Sequence, residues 1–240
     1  MIVEICANSV ESARIAEKAG ADRIEVCSEL GIGGITPSYG ILAGIREQVS
    51  IPVHILIRPR SGHFCYSDTE FEVMVADIER CVDMGFDGIV SGVLNQDLSL
   101  DKMRTAALVE KAAGLQFTFH RAFDWVVDPF QTLTELEDIG VDNILSSGQE
   151  KSASEGKELL NELRQEANSC TIIAAAGIRS EIALELRELG FSAIHLSGVK
   201  LLPFLNIPPR VSMMSPHLLT EDGFVLTDQV IIEDVIKSVK

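Results

Sequence analysis

Short runs of β-branched and aliphatic residues recur along the whole chain, and each is followed by a longer segment whose apolar positions return at helical spacing. Strand residues alternate faces, whereas a helix buries one stripe, so switching between these two periods predicts parallel β–α construction. Strands are expected at Ile2–Ala7, Arg23–Ser28, Val53–Arg58, Gly88–Gly92, Gln116–Arg121, Asn143–Gly148, Thr171–Gly177 and Ala193–Gly198. Helices are expected near Ser9–Ala19, Ser38–Gln48, Asp68–Met84, Asp101–Ala113, Pro129–Ile139, Ser152–Asn168, Ser180–Leu189 and Asp228–Val239.

Four of these helices run into a small turn before the next strand, at Gly20-Ala21-Asp22, Gly85-Phe86-Asp87, Gly140-Val141-Asp142 and Gly190-Phe191-Ser192. Glycine there stops a helix in the left-handed conformation at no steric cost. Eight repeated units of this kind close most naturally into an α/β (β/α)8 TIM barrel, which needs roughly 250 residues. An open doubly wound sheet would carry a glycine-rich fingerprint after its first strand, and Cys6-Ala7-Asn8-Ser9 has none, so no nucleotide cofactor motif is present. No Pro-, Gly- or Ser-rich linker divides residues 1–240, which predicts one domain. An irregular excursion is expected at about 200–225, where Leu202–Gly223 holds four prolines and no clear period.

Composition narrows the partners. Across 240 residues, 20 Lys plus Arg face 36 Asp plus Glu, a net charge of −16 with no basic run, which argues against nucleic acid and against an anionic membrane surface. A hydrophobic content of 46% with 8 prolines suits a large buried core. No apolar run reaches the roughly 20 residues of a membrane span, and Glu4 interrupts any signal-peptide core, so the cytoplasm is the expected compartment. The five cysteines are odd in number and contain no C-x-x-C pair. They are expected as reduced thiols, not as a disulfide framework or structural zinc site.

Strand alternation then sorts the polar residues. With Val3, Ile5, Ile24 and Val26 facing the helices, Glu4, Cys6, Glu25 and Cys27 face the barrel axis. The same rule turns His54, Leu56 and Arg58 inward, with Arg60 just beyond, and does likewise for Thr118 with His120 and for His195 with Ser197. Buried ionisable groups are costly unless they pair or do chemistry, and barrel active sites lie at the C-terminal strand ends.

Three readings follow from that mouth. Arg58, Arg60 and Arg121, with Ser147 and the backbone around Gly177, can hold a carboxylate or phosphate of a small anionic metabolite; alternatively Arg58 only neutralises Glu4 or Glu25. His120 and His195 can act as general acid and base with Glu25 or Asp124 orienting a ring, or they are hydrogen-bonded core histidines. Cys6 and Cys27 on neighbouring strands can offer two soft thiolates to Cu(I), or they are small buried hydrophobes. A hard-metal site would require His54, His120 and His195 to converge.

The chain resembles the CutC copper-homeostasis family. The resemblance rests on Glu4-Ile5-Cys6, Gly20–Cys27, Gly33-Gly34-Ile35-Thr36-Pro37-Ser38, Ile57-Arg58-Pro59-Arg60-Ser61-Gly62, Tyr66-Ser67, Thr118-Phe119-His120-Arg121-Ala122-Phe123-Asp124 and Ser146-Ser147-Gly148. It implies a TIM barrel, Cu(I) bound through Cys6 and Cys27, and assembly as a homo-oligomer, a dimer or larger. The chain departs from the family pattern at Ala174-Ala175-Ala176-Gly177-Ile178, where a more glycine-rich turn is usual, mildly at Ser146-Ser147-Gly148, where Thr-Ser-Gly is usual, and at Phe204–Arg210, where the family carries a basic segment.

Overall fold

All eight expected strands form, and they close on one another in chain order. They are β1 (Ile2–Ala7), β2 (Arg23–Val26), β3 (Val53–Leu56), β4 (Gly88–Ser91), β5 (Gln116–Phe119), β6 (Asn143–Ser146), β7 (Thr171–Ala175) and β8 (Ala193–Leu196). Each pairs in parallel with the next, and β8 returns to β1 to complete the barrel. The structure, a computed structural model, describes residues 1–203, 205–207, 210, 211 and 223–240.

Most strands end a residue or two before the apolar pattern does. Cys27, Arg58, His120 and Ser147 thereby leave the ladder and stand at the barrel mouth. The helices are α1 (Val10–Lys18), α2 (Tyr39–Gln48), α3 (Asp68–Asp83), α4 (Lys102–Lys111), α5 (Pro129–Asp138), α6 (Lys157–Glu166), α7 (Ser180–Glu188) and α8 (Gln229–Val239). Their starts are chemically marked: Ser9, Ser38, Asp101, Asp128 and Asp228 accept backbone N–H groups of the first turn, and Ser67 forms a reciprocal capping box with Glu70.

Two expectations need correction. The helix expected from Ser152 begins at Lys157, because the preceding residues fold as a turn against the end of β6. There the backbones of Gly148 and Gly156 cross so closely that a Cβ on Gly148 would lie 2.1 Å from the Gly156 carbonyl oxygen. The excursion expected at about 200–225 also begins and ends in regular structure, as β9 (Val199–Pro203) and β10 (Gly223–Thr227) pair antiparallel. Most of the stretch between them lies outside the described residues.

The main apolar core fills the shell between barrel and helices, with Val3, Ile5, Ile24, Val26, Ile55, Phe117 and Phe119 all buried in it. The opposite strand faces make two small clusters inside the barrel, one of Cys6, Cys27, Leu56 and Val90 and one of Leu145, Ile173, Ala175 and Ala193. Alternation therefore sorted the two faces as expected. The other inward residues are polar, and they build the site.

Candidate functional site

At the C-terminal ends of the strands the barrel opens into a cavity of about 390 Å³, walled in part by Cys6, Glu25, Arg58, His120 and His195. Register explains the first contacts. Cys6 lies opposite Glu25 on the neighbouring strand, and Cys27 is the next inward residue beyond it. The Cys6 and Cys27 sulfurs are 3.3 Å apart, and Cys6 Sγ is 3.6 Å from Glu25 Oε1. Cys6 reaches the cavity wall, while Cys27 is wholly buried behind it.

Closure of β8 on β1 brings His195 opposite Glu4. The His195 Nδ1 lies 2.7 Å from Glu4 Oε1 and 3.9 Å from Glu25 Oε2. Cys6, Glu25 and His195 each bring one ligand atom within 4.8 Å of the others. Behind them Glu4 accepts a 2.5 Å hydrogen bond from Arg23 Nε, and Arg23 continues to Gln116 at 3.2 Å. Such a carboxylate behind an imidazole fixes the ring's orientation and leaves its other nitrogen for a metal or substrate.

The buried charges shape one another. Burial alone would raise Glu4, yet the His195 hydrogen bond and the Arg23 charge outweigh it and hold its pKa at about 2. Burial alone would lower His195, but Glu25 and Glu4 outweigh that and raise it. Glu25 is raised, chiefly by burial. The Cys6 thiol is raised by its contact with Cys27 and by burial.

The arginines behave differently from expectation. Arg58 is neutralised by neither Glu4 nor Glu25; its guanidinium donates to the carbonyl oxygens of Ile32, Gly34 and Gly62 and so clips two loops over the mouth. Arg60 is not on the cavity wall: Glu70 holds it at 2.5 Å, and the carbonyls of Ser61, His63 and Cys65 take its other donors. Arg121 does reach the wall but is also bound to Asp124 and Ser147. Gly177 lies on the wall, and Ala176 before it takes a left-handed φ of 72°.

His120 also lines the cavity. Its Nδ1 accepts from the Ala122 N–H at 3.3 Å, and its Nε2 is buried without a partner among the described residues. Burial and the nearby Arg58 charge push its pKa to about 3, so it stays neutral. Asp124 orients neither histidine, because Arg121, Ser146, Ser147 and Gln149 occupy its carboxylate. His54 lies lower in the barrel against Gly88 and off the cavity wall, so the three imidazoles do not form one site. Several wall residues went unread in the sequence, among them Arg179, Trp125 and Phe64, as did the partner of Glu4, Arg23. Arg23 carries a readable signal, since the alternation that turns Glu25 inward does the same two residues earlier.

A closed parallel eight-stranded barrel that opens at the C-terminal strand ends defines a (β/α)8 protein, and the ligand atoms of Cys6, Glu25 and His195 lie close enough together to hold a metal ion. The chain belongs to the CutC family, whose profile matches residues 1–200. A CutC family protein of Edwardsiella ictaluri is 44% identical over 203 residues, covering 85% of this chain and 81% of the relative. One from Pectobacterium atrosepticum is 43% identical over 196 residues, covering 82% and 78%. The solved structure of CutC from Streptococcus agalactiae, a protein named for copper homeostasis, superposes with a TM-score of 0.77 at 30% identity, covering 82% of this chain and 98% of that one. A thiamine phosphate pyrophosphorylase from Pyrococcus furiosus, at 15% identity and a TM-score of 0.60, shares the fold alone. No helix among the described residues is long and apolar enough to cross a membrane.

Proposed function

We propose that this chain is a copper-homeostasis protein that binds Cu(I) in the cytoplasm at the floor of the barrel cavity. The observation that carries the reading is the 3.3 Å approach of the Cys6 and Cys27 sulfurs beside the convergence of Cys6, Glu25 and His195. Paired thiols select soft Cu(I), and an imidazole beside them offers a further nitrogen ligand. Cys6 at the cavity wall gives the ion a way in, and Cys27 behind it lets the ion settle out of solvent. The Arg23–Glu4–His195 chain holds the imidazole in place, as an outer ligand shell does. The family's homo-oligomeric assembly is part of the same reading, and sedimentation of the purified chain tests it.

Anaerobic titration of the reduced protein with Cu(I) against a competing chelator tests the site. One Cu(I) per chain is expected, with binding abolished in Cys6→Ser/Cys27→Ser and unchanged circular dichroism. Unaltered stoichiometry and affinity in that double variant would overturn the assignment.

A further inference from the structure

The cavity is far larger than one ion requires, and its wall has a charge pattern opposite to that of the whole molecule. In a chain of net charge −16, the wall carries, among the described residues, three arginines, Arg58, Arg121 and Arg179, against a single carboxylate, Glu25. Asp124 matches Arg121 from behind the wall. Arg58 is buried and donates to three uncharged carbonyl oxygens, and Arg179 donates to the carbonyl of Ile178. Carbonyl dipoles hold a guanidinium in place without cancelling its charge, so the upper cavity keeps a positive field inside an acidic protein.

The neutral groups point the same way. Because His120 Nδ1 accepts the Ala122 N–H, the ring's remaining proton is on Nε2, which makes that atom a donor. It is the buried Nε2 that lacks a partner, on a ring 4.8 Å from Phe64. Phe64 in turn contacts the Arg58 guanidinium and Trp125, so donor, cation and aromatic wall meet in one corner. A buried donor without an acceptor costs free energy until a ligand supplies one.

We propose that this upper part of the cavity binds a small organic oxyanion, a carboxylate or phosphate ester, between the rim guanidiniums of Arg121 and Arg179 in the field of Arg58, and that a turn of the His120 ring brings its buried Nε2–H out to the ligand. The proposal does not rest on copper binding. It uses residues other than the thiol site, and the two fail separately.

The test is calorimetric titration of the reduced, metal-free protein with inorganic phosphate, 2-phosphoglycolate and malonate, with malonamide as the uncharged counterpart of malonate. The oxyanions are expected to bind with Kd below about 10 mM and malonamide not to bind. His120→Phe, which keeps a ring and removes the donor, is expected to weaken binding about tenfold, while Cys6→Ser/Cys27→Ser leaves it unchanged. Arg179→Gln, on the exposed rim, weakens it too and serves if His120→Phe does not fold. Which oxyanions bind distinguishes free phosphate, phosphate ester and carboxylate. The proposal is overturned if malonamide binds like malonate, if no oxyanion binds, or if His120→Phe and Arg179→Gln bind as tightly as the parent.

Discussion

A carboxylate whose oxygens are already taken by five donors is poorly placed to shuttle a proton, and Asp124 is in that position. Its Oδ1 accepts from Ser146 Oγ, Ser147 N–H and Gln149 N–H, and its Oδ2 from Arg121 Nε and Ser147 Oγ. The residue therefore joins the loops after β5 and β6, which fixes Arg121 at the cavity rim. The split between the two oxygens gives a graded expectation. Asp124→Asn can keep the three Oδ1 bonds with its amide oxygen and loses chiefly the Arg121 contact. Asp124→Ala strands every donor, and is expected to cost about 3 kcal/mol of stability against about 1 kcal/mol for Asn. Urea unfolding of both variants checks this, and equal losses would mean that the Arg121 pair, not the Oδ1 cluster, holds the loops.

At the scale of elements, the turns that end the helices do more than stop them. In three of the four Gly-x-Asp/Ser turns the Asp carboxylate accepts the N–H of a residue in the strand before: Asp22 from Val3, Asp87 from Val53 and Asp142 from Phe117. Each Asp also donates its own N–H to that same residue's carbonyl, so one turn closes both backbone groups at the bottom of a strand. Asp142→Ala is expected to cost about 1 kcal/mol, and the three separate Asp→Ala changes to add nearly linearly because they share no partner. Chemical denaturation of the single and triple variants measures this, and a triple cost well short of the sum would show the turns to be coupled. The glycines of these turns were legible because a helix stop is a local event of one residue type. The strand faces were legible for the same reason, since a period of two shows in any six residues. What stayed hidden depends on register between distant segments. That Glu4 pairs with Arg23 and His195 follows from how β1 meets β2 and β8, and the β8 contact spans nearly the whole chain. That Arg60 turns to Glu70 follows from the path of its loop.

For the whole molecule, the two buried histidines with lowered pKa, His54 and His120, each contribute a pH dependence of folding whose direction is set. Burial lowers His54 to about 4 and, together with the Arg58 charge, lowers His120 to about 3. In the unfolded chain both return to about 6.5. A base whose folded pKa is depressed is protonated first in the unfolded state, so the unfolded chain binds more protons as pH falls below about 6.5. The contribution of these two histidines is therefore complete above that pH and declines through the window down to about 4 for His54 and about 3 for His120. Each histidine contributes a slope of up to about 1.4 kcal/mol per pH unit inside its window. The carboxylates titrate there as well, so the contribution is best isolated by difference. The stability of the parent minus that of His54→Gln, measured by urea unfolding from pH 7.5 to 4.5, is expected to fall steadily below pH 6.5, and the same holds for His120→Gln. A flat difference for either variant would mean that its imidazole takes up a proton in the folded barrel, and the neutral Nε2–H donor assigned to His120 would then have to be given up.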